Sequence, residues 1–438
     1  MDNNSILLLL LVFDNHTEKA LVDPLFVVVL VVALALFFDF TNGFHDTANA
    51  MATPIATGAL KPRTAVLIAA VLNLVGAFLS TAVAKTISVD LINEDVTIKV
   101  EMIFAGLCGA ILWNLTTWIL GLPSSSSHAL FGGLIGAAIA SAGFDAVNFV
   151  KVVEKVILPS LFAPVIAGVA AYLATKLAYI ITARSQAERA RTGIGTGRSR
   201  FRTGQIFSSS LVALSHGTND AQKTMGVITL VLITAGVLGK DSGVPLWVMI
   251  AAALAIALGT YMGGWRIIKT MGTGLSEIKP AQGLAAETAT GVTILASTNL
   301  GFALSTTQVA SGSVIGAGLG RKGGTVRWGK ASHVVGAWFL TLPAAAIVGA
   351  FAAWIAGTGP FGILIDAVLV TGVIIALFQI SKRNAVTHTN VLSEVEGASE
   401  IIETPAQRRR AEKVAKLAAK KEAEKAAKQA KKNKKGKK

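Results

Sequence analysis

Two stretches inside otherwise apolar runs carry the same arrangement of glycine, carboxylate and amide. Gly43-Phe44-His45-Asp46-Thr47-Ala48-Asn49 is answered by Gly217-Thr218-Asn219-Asp220-Ala221-Gln222-Lys223, at an offset of 174. A second pair, 121–137 (GLPSSSSHALFGGLIGA) and 301–317 (GFALSTTQVASGSVIGA), aligns without a gap at an offset of 180. An aspartate at membrane depth costs a few kcal/mol on insertion scales, so it survives where it faces a partner or a cavity. Asp46 and Asp220, at equivalent places in a duplicated chain, point to a shared cation or proton site. Thr47, Asn49, Thr218, Asn219 and Gln222 supply neutral hard oxygens around them. A carboxylate capping a broken helix is the plainer alternative.

The hydroxyl clusters suggest a complementary chemistry. Ser125, Ser126 and Ser127 correspond to Ser305, Thr306 and Thr307 at the offset of 180. Hydroxyl donors together with the unpaired N–H groups of a following helix start make an oxyanion site without arginine. Gly132 and Gly136, and Gly312 and Gly316, have i, i+4 spacing that leaves one helix face bare for close packing. His128 beside four serines suggests a nucleophile and base, but no Gly-x-Ser-x-Gly is present and the second copy has Gln308 at the equivalent place. A base needed in one defined geometry would not be lost from a copy of the same site, so the reading is binding rather than catalysis. Glu287 begins an apolar run and is either interfacial or a proton or cation relay to the central site. His45 could titrate near neutral pH. Lys223 could contact an anion or take the place of a cation, and the sequence does not decide between them. No role is assigned to Asp39 or Asp366, which also lie in apolar runs.

The elements that must position these groups are membrane helices. Of 438 residues, 53% are hydrophobic and 15% charged, with a mean hydropathy of +0.61. That is the balance of a polytopic membrane protein rather than a soluble domain. The 43 glycines suit close helix packing in lipid, and a single cysteine, Cys108, excludes a disulfide framework. Runs long enough for the bilayer are 24–42, 64–84, 102–120, 156–182, 206–236, 245–264, 284–302, 332–357 and 360–380. The short apolar run 6–13 lacks a basic flank and is not read as a cleaved signal peptide.

Loop charge orients the runs. The N-terminal segment 1–23 and the loop 86–101 are acidic. Lys61-Pro62-Arg63, the linker 183–204, the loop 320–330 and the tail are basic. The N-terminus is therefore expected outside and the C-terminus in the cytoplasm. The first repeat (24–182) then starts from the opposite side to the second (205–380), which makes an inverted-topology repeat. Pro123 to Ser127 is poor material for a mid-helix and good material for a tip lining a polar cavity. The expected fold is thus all-α and polytopic, with broken helices and two re-entrant hairpins. Beyond 380 runs a cytoplasmic tail (381–438). Its residues 406–438 hold 15 Lys/Arg and 3 Glu, net +12 of the chain's +15. Attraction to anionic lipid would add roughly 1 kcal/mol per nearby basic residue. No aromatics are interleaved, which argues against nucleic acid.

These motifs closely resemble the PiT family of inorganic phosphate transporters. The family signature looks like Gly-x-Asn-Asp-x-x-Asn in both halves, and its hairpins look like Pro-Ser-Ser-Ser-His and Ser-Thr-Thr-His. Here the matches are Gly43 to Asn49, Gly217 to Asp220, Pro123 to His128 and Ser305 to Gln308, and the likeness covers about 24–380. Trp113-Asn114 and Gly283 to Glu287, ahead of the hairpins, also fit. His45 stands where the family usually has Asn, Gln308 where the second hairpin has His, and Lys223 where other branches have Asn. The string Ser215 to Lys223 looks like the bacterial low-affinity branch. The resemblance implies a multi-pass cell-membrane symporter that imports phosphate, in some relatives as a neutral divalent-metal phosphate complex, with protons favoured over sodium. It implies no enzyme activity and no cofactor. Ser125, Ser126, Ser127, Ser305, Thr306 and Thr307 would bind phosphate. His45, Asp46, Asn49, Asn219, Asp220 and Glu287 would bind the coupling ion. A sulfate or other oxyanion permease on the same frame is the alternative. Metal binding is left open, and membrane lipid and a second copy in a homodimer are the expected partners.

The loop charges are checked by impermeant thiol labelling of intact cells. With Cys108→Ala as background, Ser88→Cys is expected to label and Ser199→Cys is not; the reverse pattern would overturn the orientation.

Overall fold

The computed structural model describes residues 24–89, 98–192, 198–383 and 385–391. The segment 1–23, half of the loop 86–101, part of the linker 183–204 and the basic tail lie outside the described residues. Among the described residues no strand forms beyond one isolated bridge between Ser276 and Val326.

Twelve principal helices carry the fold, in chain order. The first half has α1 (Pro24–Ala56), α2 (Pro62–Gly76), α3 (Ala82–Val89), α4 (Val100–Leu120), α5 (Ser126–Ala142) and α6 (Leu158–Thr192). The second half has α7 (Arg198–Thr234), α8 (Leu246–Met262), α9 (Pro280–Asn299), α10 (Thr306–Gly320), α11 (Trp328–Ala356) and α12 (Pro360–Arg383). α1 and α7, of 33 and 37 residues, are about 50 Å long or more at 1.5 Å per residue, beyond the roughly 30 Å of a hydrocarbon core. Among the described residues, five helical stretches are long and apolar enough to cross a membrane: Leu25–Ala56, Val100–Leu120, Phe149–Ile181, Trp328–Ala356 and Pro360–Arg383. A sixth forms if α8 is counted with Trp265–Gly274, which continues it at a bend of 59°. Large apolar side chains face outward on these helices, among them Phe162 and Val165 on α6, Ile347 and Trp354 on α11, and Val368 on α12. Such a belt is unstable in water and natural in lipid.

Three expected runs look different in the structure. The run 64–84 is not one crossing: α2 stops at Gly76 and α3 starts at Ala82. Turn bonds from Phe78 N–H to Val75 O and from Leu79 N–H to Gly76 O fill the gap. The runs 206–236 and 284–302 are helical as α7 and α9, but their inward faces carry buried Ser208, Asp220 and Lys223, and Glu287, Thr290 and Thr298. Polar groups so placed lower their hydropathy below that of a free-standing span.

The halves interlock. α11 of the second half packs on α5 of the first, and α6 of the first packs on α10 of the second; likewise α1 packs on α8 and α7 on α2. The bare glycine faces make the first two contacts. A Cβ on Gly132 or Gly136 would stand 2.3 Å from Leu342 O or 1.9 Å from Ala346 O; on Gly312 or Gly316 it would stand 2.4 Å from Pro164 O or 1.9 Å from Gly168 O. The obstructing atoms are backbone carbonyls, so no side chain can swing aside. Overpacking of this kind costs about 1–3 kcal/mol and occasionally more. Gly136→Val and Gly316→Val are each expected to lose most of the monodisperse protein peak on size exclusion, whereas Gly336→Val, at a glycine with nothing within 4 Å of its Cβ, keeps it.

Candidate functional site

The two aspartate motifs lie within α1 and α7, and both helices run through them without a break. Asp46 and Asp220 are therefore mid-helix residues rather than caps. Each motif opens on a glycine because a crossing helix lies against it: a Cβ at Gly43 would fall 2.3 Å from Ile256 O on α8, and at Gly217, 2.2 Å from Asn73 O on α2. Both carboxylates are buried, at 2% and 0% exposure, and a buried carboxylate needs donors on every side.

The hairpin tips supply those donors. The α4–α5 turn begins at Gly121 in the left-handed conformation, and Ser125 caps α5 by accepting the His128 N–H. The α9–α10 turn likewise ends in Ser305, which accepts the Gln308 N–H. Ser125 and Ser305 thus face their own helices. Capping leaves the N–H groups of Ser126 and Ser127, and of Thr306 and Thr307, as first-turn donors without an intrahelical partner. The next hydroxyls reach the carboxylates. Ser126 Oγ donates to Asp46 Oδ2 at 2.7 Å. Thr307 Oγ1 donates to Asp46 Oδ1 at 3.2 Å, and Thr306 Oγ1 to Asp220 Oδ2 at 3.2 Å and Asp46 Oδ2 at 3.4 Å. Asn49 Nδ2 donates to Thr306 Oγ1 at 3.2 Å and Thr307 Oγ1 at 3.1 Å. Ser127 Oγ donates to Leu304 O at 3.1 Å across the two tips.

Nitrogen groups complete the cluster. His45 Nδ1 is 2.6 Å from Asp46 Oδ1, and its Nε2 is 3.3 Å from both Thr117 Oγ1, near the end of α4, and Ser124 Oγ in the turn of the first hairpin. His216 Nε2 lies 2.9 Å from Asp220 Oδ2 and 3.9 Å from Asp46 Oδ2, as ion-pair contacts rather than aligned hydrogen bonds. Its Nδ1 is 3.3 Å from Asn73 Oδ1. Lys223 Nζ meets Asp220 Oδ1, Ser127 Oγ and Leu304 O. One ligand atom each from Asp46, His216 and Asp220 lie within 4.8 Å of one another, close enough to hold a metal ion.

The structure brings His45, Asp46, Asn49, Asp220, Ser126, Ser127, Thr306 and Thr307 into this one cluster. Asn219 turns aside: its Nδ2 donates to Thr298 Oγ1 at 2.8 Å, while its Oδ1 is buried without a partner. Glu287 has its own cage, accepting from Thr53 Oγ1 at 2.5 Å, Ser208 Oγ at 2.5 Å and Gln205 Nε2 at 2.9 Å. Thr53 is one turn along α1 from Asn49, so this cage adjoins the cluster without any hydrogen bond into it. Three of the neutral oxygens expected around the aspartates have other partners. Thr47 and Thr218 donate to helix carbonyls, and Gln222 Oε1 accepts the Val83 and Ala84 N–H groups at the start of α3. His128 pairs with Ser160 at 2.6 Å, with no carboxylate behind it. Asp39 is fully buried, and neither of its carboxylate oxygens has a hydrogen-bond partner. His216 is an ionisable group beside the second motif to which the sequence assigns no role; its place four residues before Asp220 puts both on one helix face.

Known proteins share this chain's sequence and fold. A family model, the Phosphate transporter family, matches residues 42–349. A Mycobacterium leprae protein named "Probable low-affinity inorganic phosphate transporter" is 53% identical over 377 residues, covering 85% of this chain and 89% of that protein. A Bacillus subtilis protein of the same name is 43% identical over 335 residues, covering 76% of this chain and 97% of the relative. A solved structure, "The sodium-dependent phosphate transporter", superposes with a TM-score of 0.67 at 24% identity, over 76% of this chain and 99% of its own.

Proposed function

This chain belongs to the phosphate transporter family, and we propose that it imports inorganic phosphate by symport with protons through the cluster at Asp46 and Asp220. The observation that carries the reading is the convergence of two helix starts, each with paired hydroxyls, on two buried carboxylates. N–H groups and hydroxyls at helix N-termini favour an oxyanion. The carboxylates beneath them repel it until each is neutralised by a bound cation or proton. Anion entry and cation entry are thereby linked, which is the requirement of a symporter. Glu287, in its adjoining cage, is the relay between this cluster and one side of the membrane. The N-terminus lies outside and the tail in the cytoplasm.

Protons are favoured over sodium because His45 and His216 lie against Asp46 and Asp220, so each carboxylate has an imidazole through which a proton can be exchanged. A divalent metal travelling with the anion as a neutral complex also suits the Asp46, His216 and Asp220 set. Equimolar uptake of metal and phosphate checks that form of the substrate.

Labelled-phosphate uptake into proteoliposomes, with pH and sodium gradients imposed separately, tests the reading. Accumulation is expected to follow the pH gradient, and unlabelled phosphate is expected to compete better than sulfate. Accumulation that follows a sodium gradient at fixed pH and ignores the pH gradient would replace protons by sodium. Asp46→Asn and Asp220→Asn are each expected to abolish gradient-driven accumulation in membranes that still contain the protein; normal accumulation by both removes the central claim. Ser126→Ala and Thr306→Ala are expected to weaken phosphate binding instead. A lost bond to a charged group is worth about 1.5–3 kcal/mol, or about 10- to 150-fold in affinity.

A further inference from the structure

The duplicated motifs differ where they meet the opposite hairpin. At the offset of 174, Asn49 corresponds to Lys223; at the offset of 180, Ser127 corresponds to Thr307. Asn49 reaches Thr307, and Lys223 reaches Ser127, so the two residues occupy matching positions across the site. On the Asn49 side, Thr307 Oγ1 and Asp46 Oδ1 are joined at 3.2 Å, and the amide oxygen of Asn49 is buried with no partner. On the Lys223 side, the ammonium is shared among a carboxylate (Asp220), a hydroxyl (Ser127) and a backbone carbonyl (Leu304). That is a hard-oxygen set of the kind a small metal cation takes. Lys223 is 1% exposed.

An ammonium has three N–H donors, and here all three are directed at protein oxygens. None is left for an anion in this arrangement, which argues against Lys223 as a direct phosphate ligand. A neutral residue in its place would leave Asp220 Oδ1, Ser127 Oγ and Leu304 O as three buried acceptors around an uncompensated charge. An unpaired buried charge is strongly unfavourable. The position needs a cation, and this chain supplies it from its own backbone.

We propose that Lys223 is a tethered cation: its ammonium fills one of two cation positions built by the duplicated motif, so a mobile cation is needed only on the Asp46 side. The proposal rests on the reading of this cluster as a phosphate and coupling-ion site. Lys223 then determines ion specificity and stoichiometry without touching the substrate.

The test is equilibrium binding of labelled phosphate to the purified full-length protein at one fixed pH, titrated with sodium, lithium or choline chloride at constant ionic strength. In the unmodified protein, affinity is expected to rise with sodium to first order at most. Lys223→Asn places the residue of the first motif at the second position. It is expected to bind phosphate about 10-fold or more weakly in choline, to recover in sodium or lithium, and to show a cation order one higher than the unmodified protein. Phosphate binding by Lys223→Asn that is lost in all three salts would make Lys223 a phosphate ligand and overturn the proposal. Binding that is unchanged in all three salts would overturn it too. Should the variant not yield a monodisperse peak, the unmodified protein decides: second-order dependence on sodium means that mobile ions fill both positions and Lys223 fills neither, whereas first order or less supports the proposal. Absence of phosphate binding by the unmodified protein under every condition refutes the phosphate reading itself, and the tethered cation with it.

Discussion

Everything at the centre of this molecule follows from the burial of Asp46 and Asp220 in an apolar helix bundle. The backbone of its own helix can serve neither carboxylate, since those donors are already used in the i to i−4 ladder, and the same-helix side chains His45, His216 and Lys223 meet only part of the need. The remaining donors come from hydroxyls at two helix starts, Ser126, Thr306 and Thr307. That is why two helices begin at this depth, each behind a serine cap, and why the chain before each cap turns back on itself. The hairpins satisfy the aspartates, and the aspartates give the hairpin tips a reason to meet. Ser126, Thr306 and Thr307 close this arrangement from both halves of the chain.

Holding two hairpins tip to tip requires that α5 and α10 be gripped along their length. Side chains would keep the helices about 8–10 Å apart, the usual interaxial distance. The glycine faces of α5 and α10 remove that spacing, so carbonyls of α11 and α6 come within reach of where a Cβ would be. Each gripping helix belongs to the opposite half from the helix it grips. The central site is thus built at a seam where neither half is complete without the other, and its hydroxyls and carboxylates are contributed by both.

Much of this was legible in the residues because duplication doubles a weak signal. One aspartate in an apolar run has many explanations, whereas two at a fixed offset, beside two hydroxyl tips at a second fixed offset, have few. The residues also favour binding over catalysis, since Gln308 stands where a required base would be. Less legible was the choice among polar side chains within a motif. Gln222 and Asn219 sit beside Asp220 in the sequence, yet on a helix adjacent residues are rotated by about 100°. Gln222 therefore caps α3 and Asn219 reaches α9, away from the carboxylate. His216 and Lys223, four before and three after Asp220, share its face. The break between α2 and α3 was hidden for a different reason: it falls at Gly76, where α7 lies against α2, within a run whose composition is apolar on both sides. Part of the topology reading, including the tail, falls on residues outside those described, and loop charge remains its basis.

The divergence of the two motifs has a functional logic of its own. A perfectly repeated site would offer two identical cation positions and couple the anion to two equivalent ions. Here His45 stands opposite Asn219, and Asn49 opposite Lys223. Each aspartate thus has a nitrogen group at its Oδ1, an imidazole on one side and an ammonium on the other. The ammonium is tied to α7 by its own side chain, whereas Asn49, at the matching place on the Asp46 side, brings no charge. With Lys223 as a tethered cation, the Asn49 side would be the exchangeable one, left to a mobile cation. Coupling through the exchangeable side alone would let the chain keep the electrostatic balance of a two-cation frame while moving fewer ions with each phosphate.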